Sequence, residues 1–181
     1  GRDDAENRNY ITWDGFSVAV NKDLADSFGN LVNRCLTLSA KHYGPVVPVG
    51  GESGEREQAL AAALAEIVRS YTELLAAKEL RKSAAELRRG WSLANTYWEQ
   101  AEPWKVVKAD PDAAAVIFRT VINLVRVLAV LAAPVIPTSA ATVLTALGEV
   151  SNALIAQQKQ EEARVEQEVQ VAALRESVRL A

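Results

Sequence analysis

No methionine occurs among the 181 residues, and cysteine and histidine occur once each, as Cys35 and His42. The missing methionine fits an excised fragment, chance or engineering, and Gly1 in first position points to a processed or excised piece. A single cysteine excludes an internal disulfide, so nothing calls for an oxidising compartment. One histidine and one cysteine exclude a metal centre of the His/Cys type, which takes three or four ligands. A basic surplus is also missing. The net charge is −3, which argues against non-specific nucleic-acid binding, so any RNA contact must be local and directed by shape. Long apolar runs are scarce. The most apolar stretch, Val127 to Ile136, is too short to span a bilayer and contains Pro134. Residues 1–15 are polar and acidic rather than leader-like. A membrane role is therefore not expected, and the chain reads as cytoplasmic.

The usual catalytic signatures are absent as well. Gly50-Gly51-Glu52-Ser53-Gly54 lacks the Lys-Ser/Thr that completes a P-loop. No serine sits in a nucleophile elbow. Cys35 falls on an apolar stripe and reads as buried and inert. Asp23 and Asp26 read as the solvated side of a helix. No catalytic residue, metal site or cofactor site is expected.

What the chain has is alanine, leucine and valine in helical register. Apolar residues make up 49% and aromatics 6%, a balance that favours helices over strands. After a loose lead-in at 1–12, Asp14 or Ser17 caps a first helix. Leu24, Phe28, Leu31, Cys35 and Leu38 lie on one stripe of it. It ends near Tyr43-Gly44-Pro45, where glycine caps and proline cannot continue. Residues 44–54 hold four of the nine glycines and two of the six prolines and read as a surface loop. A second helix covers roughly 55–78. A third runs from 79 or 82 to 101, with Leu80, Ala84, Leu87, Trp91, Ala94 and Trp98 on one face. Arg81, Lys82, Arg88 and Arg89 fall off that face and read as a solvated surface. Asp110-Pro111-Asp112 is a helix start with a capping side chain, proline in the first turn and acid at the positive end. That fourth helix reaches about 132, with Val116, Ile117, Val121, Leu124, Val125 and Leu128 inward. Two prolines interrupt residues 132–137, and a short fifth helix ends at Gly148. The expected fold is an all-α helical bundle over residues 1–148. Its expected core is Leu24, Phe28, Leu31, Leu64, Ile67, Trp91, Leu124 and Leu128. Residues 149–181 differ, with six acids, four bases and a thin apolar stripe. They read as a charged tail helix that lies on the bundle or meets a partner protein or a second copy.

One stretch organises the rest: Trp91 through Trp98 to Pro103-Trp104-Lys105. Pro103 removes a backbone donor and stops the helix, which presents a large flat ring and a cation at the break. That pair suits stacking on a nucleobase and holding its phosphate. The bland alternative is a tryptophan closing the end of a helical core.

Two segments read together carry a resemblance. Gly29-Asn30-Leu31-Val32-Asn33-Arg34, and Asn95-Thr96-Tyr97 through Pro103-Trp104-Lys105, resemble the anticodon-binding domain of methionyl-tRNA synthetases, as does the Pro134/Pro137 break. The resemblance covers roughly residues 12–148. It implies a helical bundle that reads the methionine anticodon, with Trp104 stacking on the anticodon and Pro103 fixing its position. It also implies that Thr37 and Lys41, one and two turns after Asn33, face the anticodon loop. These two depart from the asparagine and arginine of many bacterial members. Thr37 offers one hydroxyl and Lys41 a point charge. Arg34 and Lys105 complete the candidate set. For Asn33 and Asn95 a buried amide joining helices is at least as good a reading as RNA contact. The family's adenylate-forming motifs need two histidines and a methionine-containing lysine loop, which this chain cannot supply. The resemblance therefore implies methionine tRNA as partner and a separate catalytic domain that binds ATP and methionine. Two other readings stay open: a helical scaffold or protein-interaction module that has lost tRNA binding, and the helical domain of a sister synthetase.

Overall fold

The structure is a computed structural model that describes residues 12–149. All regular structure among them is helical. The elements are α1 (Trp13–Val20), a π-helical segment (Asn21–Gly29), α2 (Asn30–Tyr43), α3 (Glu55–Ala76), α4 (Leu80–Ala101), α5 (Pro103–Ala109) and α6 (Pro111–Ala132). A further helix, α7, covers residues 137–149. The all-α bundle expected from periodicity is what is observed. The expected tail at 149–181 lies outside the described residues beyond its first position.

The first expected helix is three segments end to end, 13–43, and the middle one is wound wider. Gly29 permits that winding. A Cβ there would lie 2.9 Å from the carbonyl oxygen of Leu24, five residues earlier, the i→i+5 spacing of a π-turn. At the far end Gly44 has φ +75° and its N–H bonds to Ala40, ending α2 where the Gly-Pro pair predicts.

Helix α6 is the centre of the bundle. Its expected single stripe is too narrow: Ala114, Phe118, Ile122, Ala129 and Ala132 are buried as well. Asp110 caps it by accepting from the N–H of Ala113 at 3.0 Å, with Pro111 in the first turn, as expected. By length and composition α6 is apolar enough to cross a membrane, a longer apolar stretch than Val127–Ile136. In the bundle 67% of that window is buried, so its apolarity is accounted for by the core. Phe28, Leu31, Ile67, Trp91, Leu124 and Leu128 are buried as expected. Leu24 and Leu64 are only half-buried at the core's edge. Leu80, the first residue of α4, is 67% exposed and not part of the core face expected for it.

The 44–54 segment is not a free surface loop. Arg119 of α6 donates to the carbonyls of Gly50 and Gly51 at 3.1 and 2.7 Å. A Cβ on Gly50 would stand 2.6 Å from the backbone nitrogen of Val116. The loop backbone is pressed onto α6, and glycine is the residue that allows it.

Candidate nucleic-acid interface

Helix α4 ends at Ala101. Glu102 then takes a left-handed conformation, φ 44° and ψ 51°, and α5 starts at Pro103. Pro103 thus ends one helix and occupies the first turn of the next, where its missing N–H costs nothing. The short α5 was not expected. Seven residues give too little apolar periodicity to register.

Pro103 is buried. Trp104 is half-buried and packed on the core rather than freely exposed. Its ring centroid lies 6.3 Å from that of Trp98, tilted by 50°. Trp98 in turn meets Phe118 edge-on at 5.8 Å. The Arg34 guanidinium carbon lies 5.7 Å from the Trp104 ring centre and 5.8 Å from that of Trp98. Arg34 also donates to the Glu99 carboxylate at 2.7 Å. One arginine from α2 therefore joins two indoles and a carboxylate from α4 and α5. Lys105 is exposed and paired with Glu102 at 2.6 Å.

Thr37 and Lys41 are exposed on α2, three and seven residues after Arg34, and so share its helix face. Thr37 donates weakly to the Asn33 side chain at 3.4 Å. The structure brings Arg34 together with Trp98, Glu99 and Trp104, and Thr37 and Lys41 continue the helix face of Arg34. Asn95 is a structural amide, donating to the carbonyls of Ser27 at 3.3 Å and Trp91 at 2.9 Å. Spacing alone did not reveal Glu99, which is 65 residues from its partner. The Glu102–Lys105 pair spans only three residues.

The end of α2 is secured separately. Tyr43 donates to the carbonyl of Pro111 at 2.6 Å and meets Phe118 edge-on. Burial, then Asp112 and Asp110, push its phenol above the ordinary range. Cys35 is buried below this face, and burial pushes its thiol from 9.0 up to about 12. It is an inert core residue, as its place on the stripe predicts. Among the described residues no group of three or more His, Cys, Asp or Glu is placed to hold a metal ion.

The family described as the anticodon binding domain of methionyl tRNA ligase matches residues 47–174. The chain belongs to this family. The match begins after α2 and runs past Gly148 into the acidic segment. Among curated relatives, methionine–tRNA ligase of Cereibacter sphaeroides (strain ATCC 17029) is 45% identical over 138 residues, covering 76% of this chain and 24% of that protein. The methionine–tRNA ligase of Dinoroseobacter shibae is 46% identical over 154 residues, covering 81% and 27%. A solved Mycobacterium tuberculosis methionyl-tRNA synthetase, in complex with methionyl-adenylate, superposes with a TM-score of 0.70 at 26% identity. It covers 74% of this chain and 27% of that one. The chain thus spans about a quarter of the length of these relatives. Its helical architecture is that of methionyl-tRNA synthetases, and the helices around Trp104 are those of the family's anticodon-binding domain.

Proposed function

We propose that this domain binds the anticodon loop of methionine tRNA, with Trp104 stacking on an unpaired base. The observation that carries this reading is the half-buried indole at the α4–α5 break, backed by Trp98 and flanked by Arg34 and Lys105. Single-stranded loops are recognised through such stacking and through polar contacts to splayed bases. Thr37 supplies a hydroxyl and Lys41 a cation along the same face, and Pro103 fixes where the ring emerges. Aminoacylation, with its ATP and methionine, belongs to a catalytic domain outside this chain, in the cytoplasm where tRNA is charged.

The test is a titration of the methionine anticodon stem-loop, and of the same hairpin with its anticodon changed, into wild type and Trp104→Ala. Stacking on one base is worth about 1–3 kcal/mol, so Trp104→Ala should weaken binding to the intact hairpin by roughly 5- to 150-fold. Trp104→Phe should recover part of this. Equal binding of both hairpins, or no effect of the substitution, would refute the reading. The scaffold alternative draws support from the pairing of both flanking cations with carboxylates, Arg34 with Glu99 and Lys105 with Glu102. It predicts no measurable binding to either RNA.

A further inference from the structure

We infer that Arg34 is a positioning residue, whose guanidinium lies over the rings of both Trp98 and Trp104 and fixes the Trp104 ring in the orientation that meets a base. This rests on the recognition role proposed for Trp104. The ring sits on α5, a helix of seven residues, which is too short to hold its own direction without packing. Pro103 and Val107 bury one side of it. On the ring itself the fixed contacts are Trp98, tilted at 6.3 Å, and the Arg34 guanidinium at 5.7 Å. The first meets the indole at a tilt, on the side where it packs on the core. The second lies over the ring itself and is the contact that reaches it from α2.

Arg34 is suited to holding the ring rather than to gripping RNA. Its Nη1 is already committed to Glu99 at 2.7 Å, and its side chain is only 35% exposed. A phosphate would have to compete with that carboxylate. A flat guanidinium can lie against two rings while one N–H reaches sideways to an acid, and an ammonium cannot. The three groups it joins come from α4 and α5, while Arg34 itself comes from α2. The face carrying Thr37 and Lys41 is thereby locked in place relative to Trp104.

The experiment is a double-mutant cycle on binding of the methionine anticodon hairpin, with Arg34→Met, Trp104→Leu and the double variant, repeated across salt concentrations. Arg34→Met should weaken binding about 3- to 10-fold in the wild-type background and less than about 2-fold in the Trp104→Leu background, because residues acting as a unit are not additive. The salt dependence should stay unchanged. Losing a direct phosphate contact would instead reduce the slope by about one. Arg34→Lys keeps the charge and loses the plane, so it should recover less than half the loss. A second readout needs no RNA: the near-ultraviolet circular dichroism of the paired indoles should weaken in Arg34→Met and Arg34→Lys while the far-ultraviolet helix signal is kept. Multiplicative effects in the cycle, a flattened salt slope, full rescue by lysine or an unchanged near-ultraviolet spectrum would each overturn the inference. If Trp104→Leu leaves RNA affinity untouched, the recognition reading itself fails, and the near-ultraviolet signal still decides whether Arg34 sets the ring.

Discussion

Tyr97 of α4 donates its phenolic hydrogen to the Glu57 carboxylate of α3 at 2.7 Å. Glu57 also accepts from the backbone N–H of Gly54 at 3.0 Å, the glutamate half of a capping box at the start of α3, where Gly54 has no side chain to supply the other half. One carboxylate thus caps its own helix and ties it to the next. Burial pushes the Glu57 carboxyl up, but the bonds from Tyr97 and the backbone, with nearby Arg56, together outweigh it and leave it below the ordinary range. Burial first, and Glu57 second, push the Tyr97 phenol well above its ordinary range.

Tyr97→Phe should therefore cost about 1–2 kcal/mol at neutral pH, the scale of a partly solvated hydrogen bond to a charged group. The sign with pH follows from linkage. A carboxyl lowered in the folded state contributes stability above about pH 4.5 that is lost as pH falls through its folded value. The gap between wild type and Tyr97→Phe should accordingly narrow in acid. Urea unfolding at pH 7 and pH 3 measures both, and a gap that widens in acid would contradict the pairing.

Cys35 sets an alkaline limit. A thiol raised from 9.0 to about 12 by burial contributes stability fully present below pH 9 and lost as pH climbs toward 12. By pH 10.5 the loss amounts to roughly 2 kcal/mol. Cys35→Ala leaves a small cavity, so its stability is lower at pH 7, but its decline between pH 8 and pH 10.5 should be shallower than that of wild type. The raised phenols of Tyr43, Tyr71 and Tyr97 are common to both proteins. Equal slopes would remove the thiol from the account.

Gly50 and Gly51 are neighbours with opposite expectations. Ala at 50 would meet Val116 backbone at 2.6 Å, whereas Ala at 51 has nothing within 4 Å. Gly50→Ala should destabilise by about 1–3 kcal/mol, as overpacking does. Gly51→Ala should stay within about 0.5 kcal/mol of wild type. Comparing the two melting curves checks whether Arg119 holds the loop against α6.

The two neighbouring tryptophans, Trp98 and Trp104, should separate by burial. Trp98 is 1% exposed, and Trp98→Ala should cost about 3–5 kcal/mol, the range for a buried ring. Trp104 is half-buried, so Trp104→Ala should cost less, about 1–3 kcal/mol, in line with its smaller buried area. If Trp104→Ala proves the more damaging to folding, the ring is a core residue first, and its RNA role loses its main support.

Much of this architecture was legible in the chain. Leu31, Cys35, Leu87, Trp91 and Leu128 lie on stripes of period 3.6, and Gly44 and Asp110 mark ends by local chemistry that needs no tertiary information. What the chain hid depends on partners distant in sequence. Phe118 and Ile122 fall off the expected stripe of α6 because that helix is packed on more than one side. Arg119 looks like a solvated charge until its carbonyl partners, 68 and 69 residues away, are in place. Trp104 reads as exposed beside its proline, and only the meeting of Trp98 and Arg34 covers part of it. Of the candidate set, Pro103 and Trp104 were marked by a local break, whereas the tie from Arg34 across three helices was not visible from spacing.

The wide winding at Asn21–Gly29 works like a change of thread on a screw. Each residue of an α-helix advances by about 100°, and a π-turn takes up one residue more than an α-turn before closing. The residue count between α1 and α2 is therefore one more than a plain α-helix would need, though both lie on one continuous rod. Removing a single residue between 21 and 29 would let the rod rewind as plain α-helix. Phe28 of the wide segment, stacked on Trp91, and Tyr43 of α2, bonded to Pro111, hold the rod against the bundle. Because the wide turn has already taken up that extra residue, α1 should keep its direction, and the face of Arg34, Thr37 and Lys41 its aim.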